Sequence, residues 1–170
     1  MTRPQKLQAM VRPARADDAE QIAEIYNHYV RTSTITFEEE PVAPSEMARR
    51  ILEVQSASLP WLVATDHEGI AGYAYGSKWK ARAAYRFSAE ISIYVRQGHG
   101  HGGIGTQLYS QLLPALKASG MHAVIGGFAL PNDGSLRLHQ KFGFEQVAHF
   151  KEVGFKFNRW IDVTYWQTVL

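Results

Sequence analysis

The chain has 170 residues, 45% of them hydrophobic and 20% charged, with a net charge of +2, which suits one globular domain rather than a dedicated nucleic-acid binder. It contains no cysteine, which excludes disulfides, thiolate zinc sites and a cysteine acyl-enzyme. Residues 1–15 lack the apolar core of a signal peptide, and no stretch reaches the roughly 20 apolar residues of a membrane span, so we expect a cytoplasmic protein.

The first part of the chain predicts a strand and a helix. Residues 1–9 are expected to be a flexible lead-in, and residues 10–170 a single domain. Val11–Arg15 can form a short strand. Asp17 and Asp18 then stand where a helix N-cap belongs, ahead of apolar residues at helical spacing. These residues are Ile22, Ile25, Tyr26 and Tyr29.

A second helix and three strands are predicted next. Pro41 and Pro44 break the chain, and Ser45 is placed to cap the second helix. The following strands are Trp61–Thr65, Ile70–Tyr75 and Phe87–Val95, the first two joined by a turn at residues 66–69. In the third strand apolar and polar residues alternate, which is the period of a β-strand.

A glycine-rich turn at residues 98–105 leads directly into an amphipathic helix that contains Pro114 and ends at Gly120. The remaining predicted elements are the strand Val124–Leu130, the helix Asn132–Phe142, and strands at about 144–153 and 159–169. The order β-α-α-β-β-β-α-β-α-β-β predicts a mixed α/β fold. In its strand–turn–helix–strand unit, a ligand is expected where the first strand meets the helix N-terminus.

The glycine-rich turn is the strongest functional signal. Unobstructed backbone N–H groups at a helix start bind phosphate oxygens, although glycine-rich turns without a ligand are also common. The turn does not end in Gly-Lys-Ser/Thr, so it is not a P-loop. A dinucleotide fingerprint would need an acidic residue about 20 positions later, where Ile125 and Gly126 stand instead.

Short stretches along nearly the whole chain resemble the GNAT N-acetyltransferases, and among them the phosphinothricin and methionine sulfoximine acetyltransferase group. They are residues 25–27, 33–37, 85–90, 92–95, 103–105, 131–132, 135, 138–139, 143–144, 153–156, 159–160 and 162–163. The resemblance implies an α/β (α+β) fold with a mixed, mostly antiparallel central sheet flanked by about four helices. It also implies acetyl-CoA as co-substrate and no metal.

The resemblance implies a cofactor site along one strand edge and the glycine-rich turn. Its residues would be Ile93, Tyr94, Val95, His101, Gly102, Gly103, Ile104, Gly105, Thr106 and Asn132. The turn departs from the family pattern at one position, because Gly100 stands where the family has Gln or Arg. A side-chain contact to phosphate is therefore missing there, and His101 or Arg96 is a candidate to replace it.

Two residues are candidates for proton transfer. An amine must lose a proton before it attacks a thioester, and Glu90, central in its strand, is the expected general base. The alternative is a solvent-facing carboxylate without a role. His139 matches a histidine of the resembled group and is a candidate acid for the leaving thiolate, although a lone helical histidine is often only a surface residue.

The resemblance also implies an acceptor site. In the resembled group the positions of Lys80, Arg82 and Tyr85 lie at the acceptor's acidic groups. The predicted acceptor residues are Phe37, Lys80, Arg82, Tyr85, Glu90 and Ser92. Phe37, Trp79 and Trp160 are candidate walls of the pocket, although aromatic residues more often belong to the core. Cations there would hold the acceptor's carboxylate, whereas the alternative is a solvated basic loop. The acidic run at residues 38–40 is interpreted as a solvated face, and His99 with His101 makes a poor metal site without a carboxylate.

The expected function is direct transfer of acetyl from acetyl-CoA to the amino group of a small, amino-acid-like acceptor. Phosphinothricin, methionine sulfoximine and methionine sulfone fit this class. The alternatives are a GNAT-like module that binds acyl-CoA with little turnover, and a peptide N-terminal acetyltransferase. A homodimer that binds neither nucleic acid nor membrane is expected.

Overall fold

The computed structural model describes residues 9–100 and 102–170. Its order of elements is the one the sequence predicts. The strands and helices are β1 (Met10–Pro13), α1 (Ala19–Thr32), α2 (Pro44–Ser56), β2 (Trp61–Asp66), β3 (Gly69–Lys78), β4 (Ser88–Val95), α3 (Ile104–Ala118), β5 (Ala123–Ala129), α4 (Asp133–Lys141), β6 (Glu145–Lys156) and β7 (Arg159–Val169).

All seven of these strands form one sheet in the order β1-β2-β3-β4-β5-β7-β6. Among the described strands only β4 and β5 are parallel, and every other neighbouring pair is antiparallel. The predicted mixed, mostly antiparallel sheet with four helices is therefore confirmed. The predicted boundaries, 1–9 for a lead-in and 10–170 for one domain, stay a prediction, although Ala9 is already buried in the core.

The parallel pair opens partway along its length. Ser88–Ile91 of β4 pairs with Ala123–Gly126 of β5, and the register extends no further within these two strands. Beyond that point β4 continues to pair with β3 and β5 with β7. The two central strands therefore diverge from Ser92 onward, which leaves a gap in the middle of the sheet.

Two apolar cores hold the layers together, one on each face of the sheet. On one face Leu108, Leu112 and Leu116 of α3 are fully buried against the strands. On the other face Ile22 and Ile51, from α1 and α2, pack over the sheet. Each such buried side chain contributes about 1.5–3 kcal/mol of transfer free energy. Within residues 9–100 and 102–170, no helix combines the length and apolar content that a bilayer crossing requires.

Of the two predicted helix caps, the position of the first is confirmed and the second is wrong. Asp18 is the N-cap residue of α1, but its carboxylate accepts from Arg12 at 2.7 and 2.8 Å and from the Arg15 amide at 2.7 Å rather than from the amides of the first helical turn. Helix α2 begins at Pro44 rather than after a Ser45 cap, because the fixed φ of proline suits the first helical position. Pro114 lies inside α3 without ending it.

Candidate active site

A cleft of about 480 Å³ lies between the free end of β4, the glycine-rich turn and α4. Most of the predicted cofactor residues line it, namely Ile93, Tyr94, Val95, Gly103, Gly105, Thr106 and Asn132. Gly102 does not line it, and Ile104 is buried in the core at 2% exposure. His101 lies outside the described residues. We call this space the cofactor cleft.

The glycine-rich turn presents backbone to the cofactor cleft. Gly103 is the N-cap of α3 and has a φ of +77°, a left-handed conformation that few side chains tolerate. A Cβ at Gly100 or Gly103 would meet no atom within 4 Å, so the space beside both residues is open. The orphan N–H groups of α3 and its dipole therefore face a volume that suits an anion such as a pyrophosphate.

Helix α4 adds positive charge to the same cleft. Arg137 and Lys141, one helical turn apart, both line it, and the Lys141 ammonium donates to the Thr106 hydroxyl at 3.1 Å. Neither was predicted from the sequence, although the i, i+4 spacing of two cations after Asn132 is a signal that was available. Arg96, in contrast, donates to the Glu68 carbonyl at 3.4 Å and does not line the cleft.

A second cleft, of about 470 Å³, contains Glu90 and Phe37 among its lining residues. Several of its lining residues are aromatic, among them Phe150 and Tyr165. We call it the acceptor cleft. It shares Ile35 and Tyr94 with the cofactor cleft, so the two spaces meet at the gap between β4 and β5.

Glu90 projects into the acceptor cleft from β4. Its neighbours Ala89 and Ile91 are buried in the core on the opposite face, as the strand alternation predicts. Burial raises the pKa of the Glu90 carboxyl above its ordinary value, and the positive charge of Lys80 partly opposes that rise. Burial, together with the Glu90 charge, also raises the pKa of Tyr165. A carboxylate with a raised pKa is a stronger base, which suits proton abstraction from an amine.

His139 is buried at 3% exposure, so it is not a surface residue. Its Nδ1 lies 2.7 Å from the Ser135 carbonyl oxygen, an acceptor, so Nδ1 carries a proton. Burial lowers the pKa of the imidazole, and Nε2 of the neutral ring accepts from the Tyr109 hydroxyl at 3.3 Å. Both residues line a small cavity of about 40 Å³ where the two clefts meet. No sequence pattern indicates Tyr109 as a site residue.

Ser92, a predicted acceptor residue, lines the same small cavity. The other predicted acceptor residues, Lys80, Arg82 and Tyr85, lie on an exposed loop and do not line the acceptor cleft in the described part of the chain. Lys80 still acts electrostatically on Glu90. Trp160 is 63% exposed and lies away from the cleft.

Trp79 packs its ring edge-on against Tyr165, with ring centres 5.6 Å apart, and therefore contacts a residue of the cleft wall without lining the cleft itself. The acidic run at 38–40 includes one structural residue, since Glu38 pairs with Arg50 at 2.6 Å and accepts from Tyr26 at 2.9 Å. Nowhere in residues 9–100 and 102–170 do three or more potential metal ligands cluster.

Comparison with known proteins assigns this architecture to a family. The acetyltransferase (GNAT) domain family matches residues 11–165. A phosphinothricin N-acetyltransferase of Streptomyces coelicolor is 41% identical over 170 residues, covering 98% of this chain and 99% of the relative. An L-methionine sulfoximine/L-methionine sulfone acetyltransferase of Salmonella typhimurium is 32% identical, covering 94% of each chain.

A solved structure gives the same result. The crystal structure of a GNAT phosphinothricin acetyltransferase from Sinorhizobium meliloti in complex with AcCoA superimposes with a TM-score of 0.92 at 37% identity, covering 95% of this chain and 88% of that one. The chain belongs to the GNAT acetyltransferase family. It is an acetyl-CoA-dependent N-acetyltransferase.

Proposed function

We propose that the protein acetylates the amino group of a small amino acid analogue of the phosphinothricin or methionine sulfoximine type, with Glu90 as general base. One observation carries this proposal. The carboxylate of Glu90 lines a cleft that meets the cofactor cleft at Ile35 and Tyr94. An amine held beside Glu90 therefore lies next to the place where the thioester of the co-substrate arrives.

Cofactor binding is assigned to backbone groups and to α4. The orphan N–H groups after Gly103 would hold the pyrophosphate, while Arg137 and Lys141 supply the positive charge that the turn lacks at Gly100. The edge of β4 at residues 93–95, which β5 leaves unpaired, would receive the pantetheine arm. Asn132 lines the same cleft and also caps α4, since its side chain accepts from the Ser135 amide at 3.0 Å.

The expected proton transfers follow from the protonation states of Glu90 and His139. The α-amino group of an acceptor is largely protonated near neutral pH, so Glu90 first takes its proton, directly or through water. The nitrogen lone pair then attacks the thioester carbonyl carbon, and the C–S bond breaks. The nitrogen releases its second proton to give the neutral amide, and the leaving thiolate takes up one proton, so the exchange balances. A neutral His139 has no proton on Nε2 to give, so an acid role for it requires a second proton on the ring.

The acceptor's acidic group is assigned to the basic loop. Lys80 is near enough to Glu90 to act on its pKa, and an ammonium there would hold a carboxylate while the amine faces Glu90. Arg82 and Tyr85 would join it through movement of this exposed loop or through a second subunit. We also propose a cytoplasmic location and a homodimer. The homodimer is supported by apolar side chains on the β6–β7 hairpin that are half or more exposed: Val153, Phe155, Phe157 and Trp160. Sedimentation equilibrium tests the dimer.

The function is tested by measuring thiol release from acetyl-CoA with a panel of amines. Phosphinothricin, methionine sulfoximine, methionine sulfone, ordinary amino acids and a short peptide cover the alternatives. We expect turnover with at least one of the first three and little with the peptide. Tight acetyl-CoA binding without turnover on any amine would identify a binding module instead, and a preference for the peptide would identify an N-terminal acetyltransferase.

Loss of the Lys141 charge is expected to weaken acetyl-CoA binding. Lys141→Met removes one charge-assisted contact at an exposed site, so the Kd should rise by about three- to tenfold, and less at high salt. Calorimetric titration measures the change, with Lys117→Met at the far end of α3 as the control. Gly100→Arg in the Lys141→Met background should restore affinity, because the space beside Gly100 is open. An unaltered Kd in Lys141→Met would contradict this assignment.

A further inference from the structure

One wall of the acceptor cleft lacks regular secondary structure. Residues 34–37, which follow α1, form neither helix nor strand, yet all four line the acceptor cleft. Ile35 also lines the cofactor cleft. A segment without ladder hydrogen bonds depends on side-chain contacts for its position. Whatever holds this wall therefore sets the shape of the acceptor cleft.

The end of β6 holds it at two successive positions on one face of the strand. Lys156, the last residue of β6, is buried at 2% exposure, and its ammonium donates to the Thr36 carbonyl at 2.8 Å. Gly154 lies directly against the ring of Phe37, so that a Cβ there would overlap the ring. The hydrogen bond joins residues 120 positions apart in the chain.

Burying the ammonium of Lys156 has a desolvation cost. An ammonium has three donors, and within the described residues Lys156 makes this one hydrogen bond, with its charge over the Phe157 ring at 5.1 Å. Burial lowers the pKa of Lys156, against the opposing charges of Glu39 and Glu38. An apolar side chain of similar length would suit a buried site at least as well, so stability alone does not explain the residue.

We propose that Lys156 is a positioning residue for the acetyl transfer, which fixes the Thr36–Phe37 wall and thereby sets the fit of the acceptor. The inference rests on the proposed function of the acceptor cleft. When the contact is lost, Thr36 keeps its hydrogen bond with Tyr26 at 2.7 Å, but the wall loses its tie to β6, and a displacement of about 1 Å relative to Glu90 is enough to impair a reacting geometry. The cofactor cleft should change less, because only Ile35 of the segment borders it.

The test compares Lys156→Met with Lys151→Met, an exposed lysine on the same strand. For Lys156→Met we expect the KM of the acceptor to rise about tenfold, with a smaller loss in kcat and an acetyl-CoA Kd within about twofold of wild type. Hydrogen exchange of the amides at 34–37 should become faster. Lys151→Met should leave all of these quantities unchanged.

Two further variants separate positioning from stability. Lys156→Arg keeps a donor and a charge and should recover most of the lost acceptor affinity. Gly154→Ala should displace Phe37 and raise the acceptor KM in the same way, since Gly154 has no positive φ that would strain an alanine. Equal acceptor KM in wild type and Lys156→Met would overturn the proposal. The proposal would also be overturned if thermal stability fell while the acceptor KM rose and both kcat and acetyl-CoA affinity fell in parallel.

The two proposals fail in different ways. If wild type acetylates no small amine, the proposed function fails before any variant is made. If wild type is active and Glu90→Gln is not, while Lys156→Met behaves as wild type, the function stands and the positioning role is refuted.

Discussion

Glu90→Gln is expected to lower kcat by about two to four orders of magnitude, the usual contribution of a positioned proton acceptor. The amide keeps the size of the side chain in the acceptor cleft but cannot take a proton. Acetyl-CoA affinity should barely change, because Glu90 lines the acceptor cleft and not the cofactor cleft. Steady-state kinetics with calorimetric titration of acetyl-CoA measures both quantities.

The pH dependence gives this prediction a second readout. A base must be deprotonated, so wild-type activity should fall as the pH drops through the pKa of Glu90, which burial raises above the ordinary carboxyl value. The variant should lose this acidic limb and be partly rescued at high pH, where the amine arrives already deprotonated. Wild-type turnover with an unchanged pH profile would refute the role of Glu90.

In Glu90→Gln, stability and activity are expected to change in opposite directions relative to wild type. A raised pKa in the folded state means that the protonated carboxyl is preferred there, so the stability it contributes at low pH is lost as the pH rises through that pKa. At neutral pH the charged Glu90 is therefore a net cost to the fold. Thermal unfolding should show that Glu90→Gln is at least as stable as wild type at pH 7, with the difference vanishing in acid.

The fold and the face of β4 on which Glu90 lies could be predicted because their signals are local, whereas the proposed roles of Glu90 and His139 depend on the family resemblance. Alternation along β4 places Glu90 opposite Ala89 and Ile91, and the structure confirms that burial pattern. The turn before α3 combines glycines with an amphipathic helix, which indicates an anion site within a few residues of sequence. Because β4 leads directly into this turn, the order of elements places Glu90 and the anion site on the same strand connection.

The remaining site residues depend on packing between distant segments. Lys141 reaches Thr106 because Gly105 lets Leu138 approach α3 closely. A Cβ at Gly105 would lie only 3.3 Å from the Leu138 side chain. Tyr109 meets His139 across the same helix pair. The i, i+4 spacing of Arg137 and Lys141 indicates a basic helix face, but no local pattern specifies which distant segment that face contacts. The wrong prediction of a Ser45 cap has another cause, since two start signals compete there and the proline at position 44 prevails.

Gly103→Asp is expected to abolish measurable acetyl-CoA binding. Gly103 lines the cofactor cleft as the N-cap of α3, and a carboxylate there would occupy the anion site and repel the pyrophosphate. The domain should still fold, because a Cβ meets nothing within 4 Å and Asp tolerates the left-handed conformation better than most residues.

Gly103→Asn is the matched control, since it has the same size and the same tolerance for positive φ but carries no charge. We expect it to bind acetyl-CoA more weakly than wild type and clearly more tightly than Gly103→Asp. The gap between the two variants should shrink as salt screens the repulsion. Circular dichroism checks folding, and calorimetric titration at low and high salt measures affinity. If Gly103→Asp binds acetyl-CoA as wild type does, the pyrophosphate lies elsewhere and the turn is only a connection between β4 and α3.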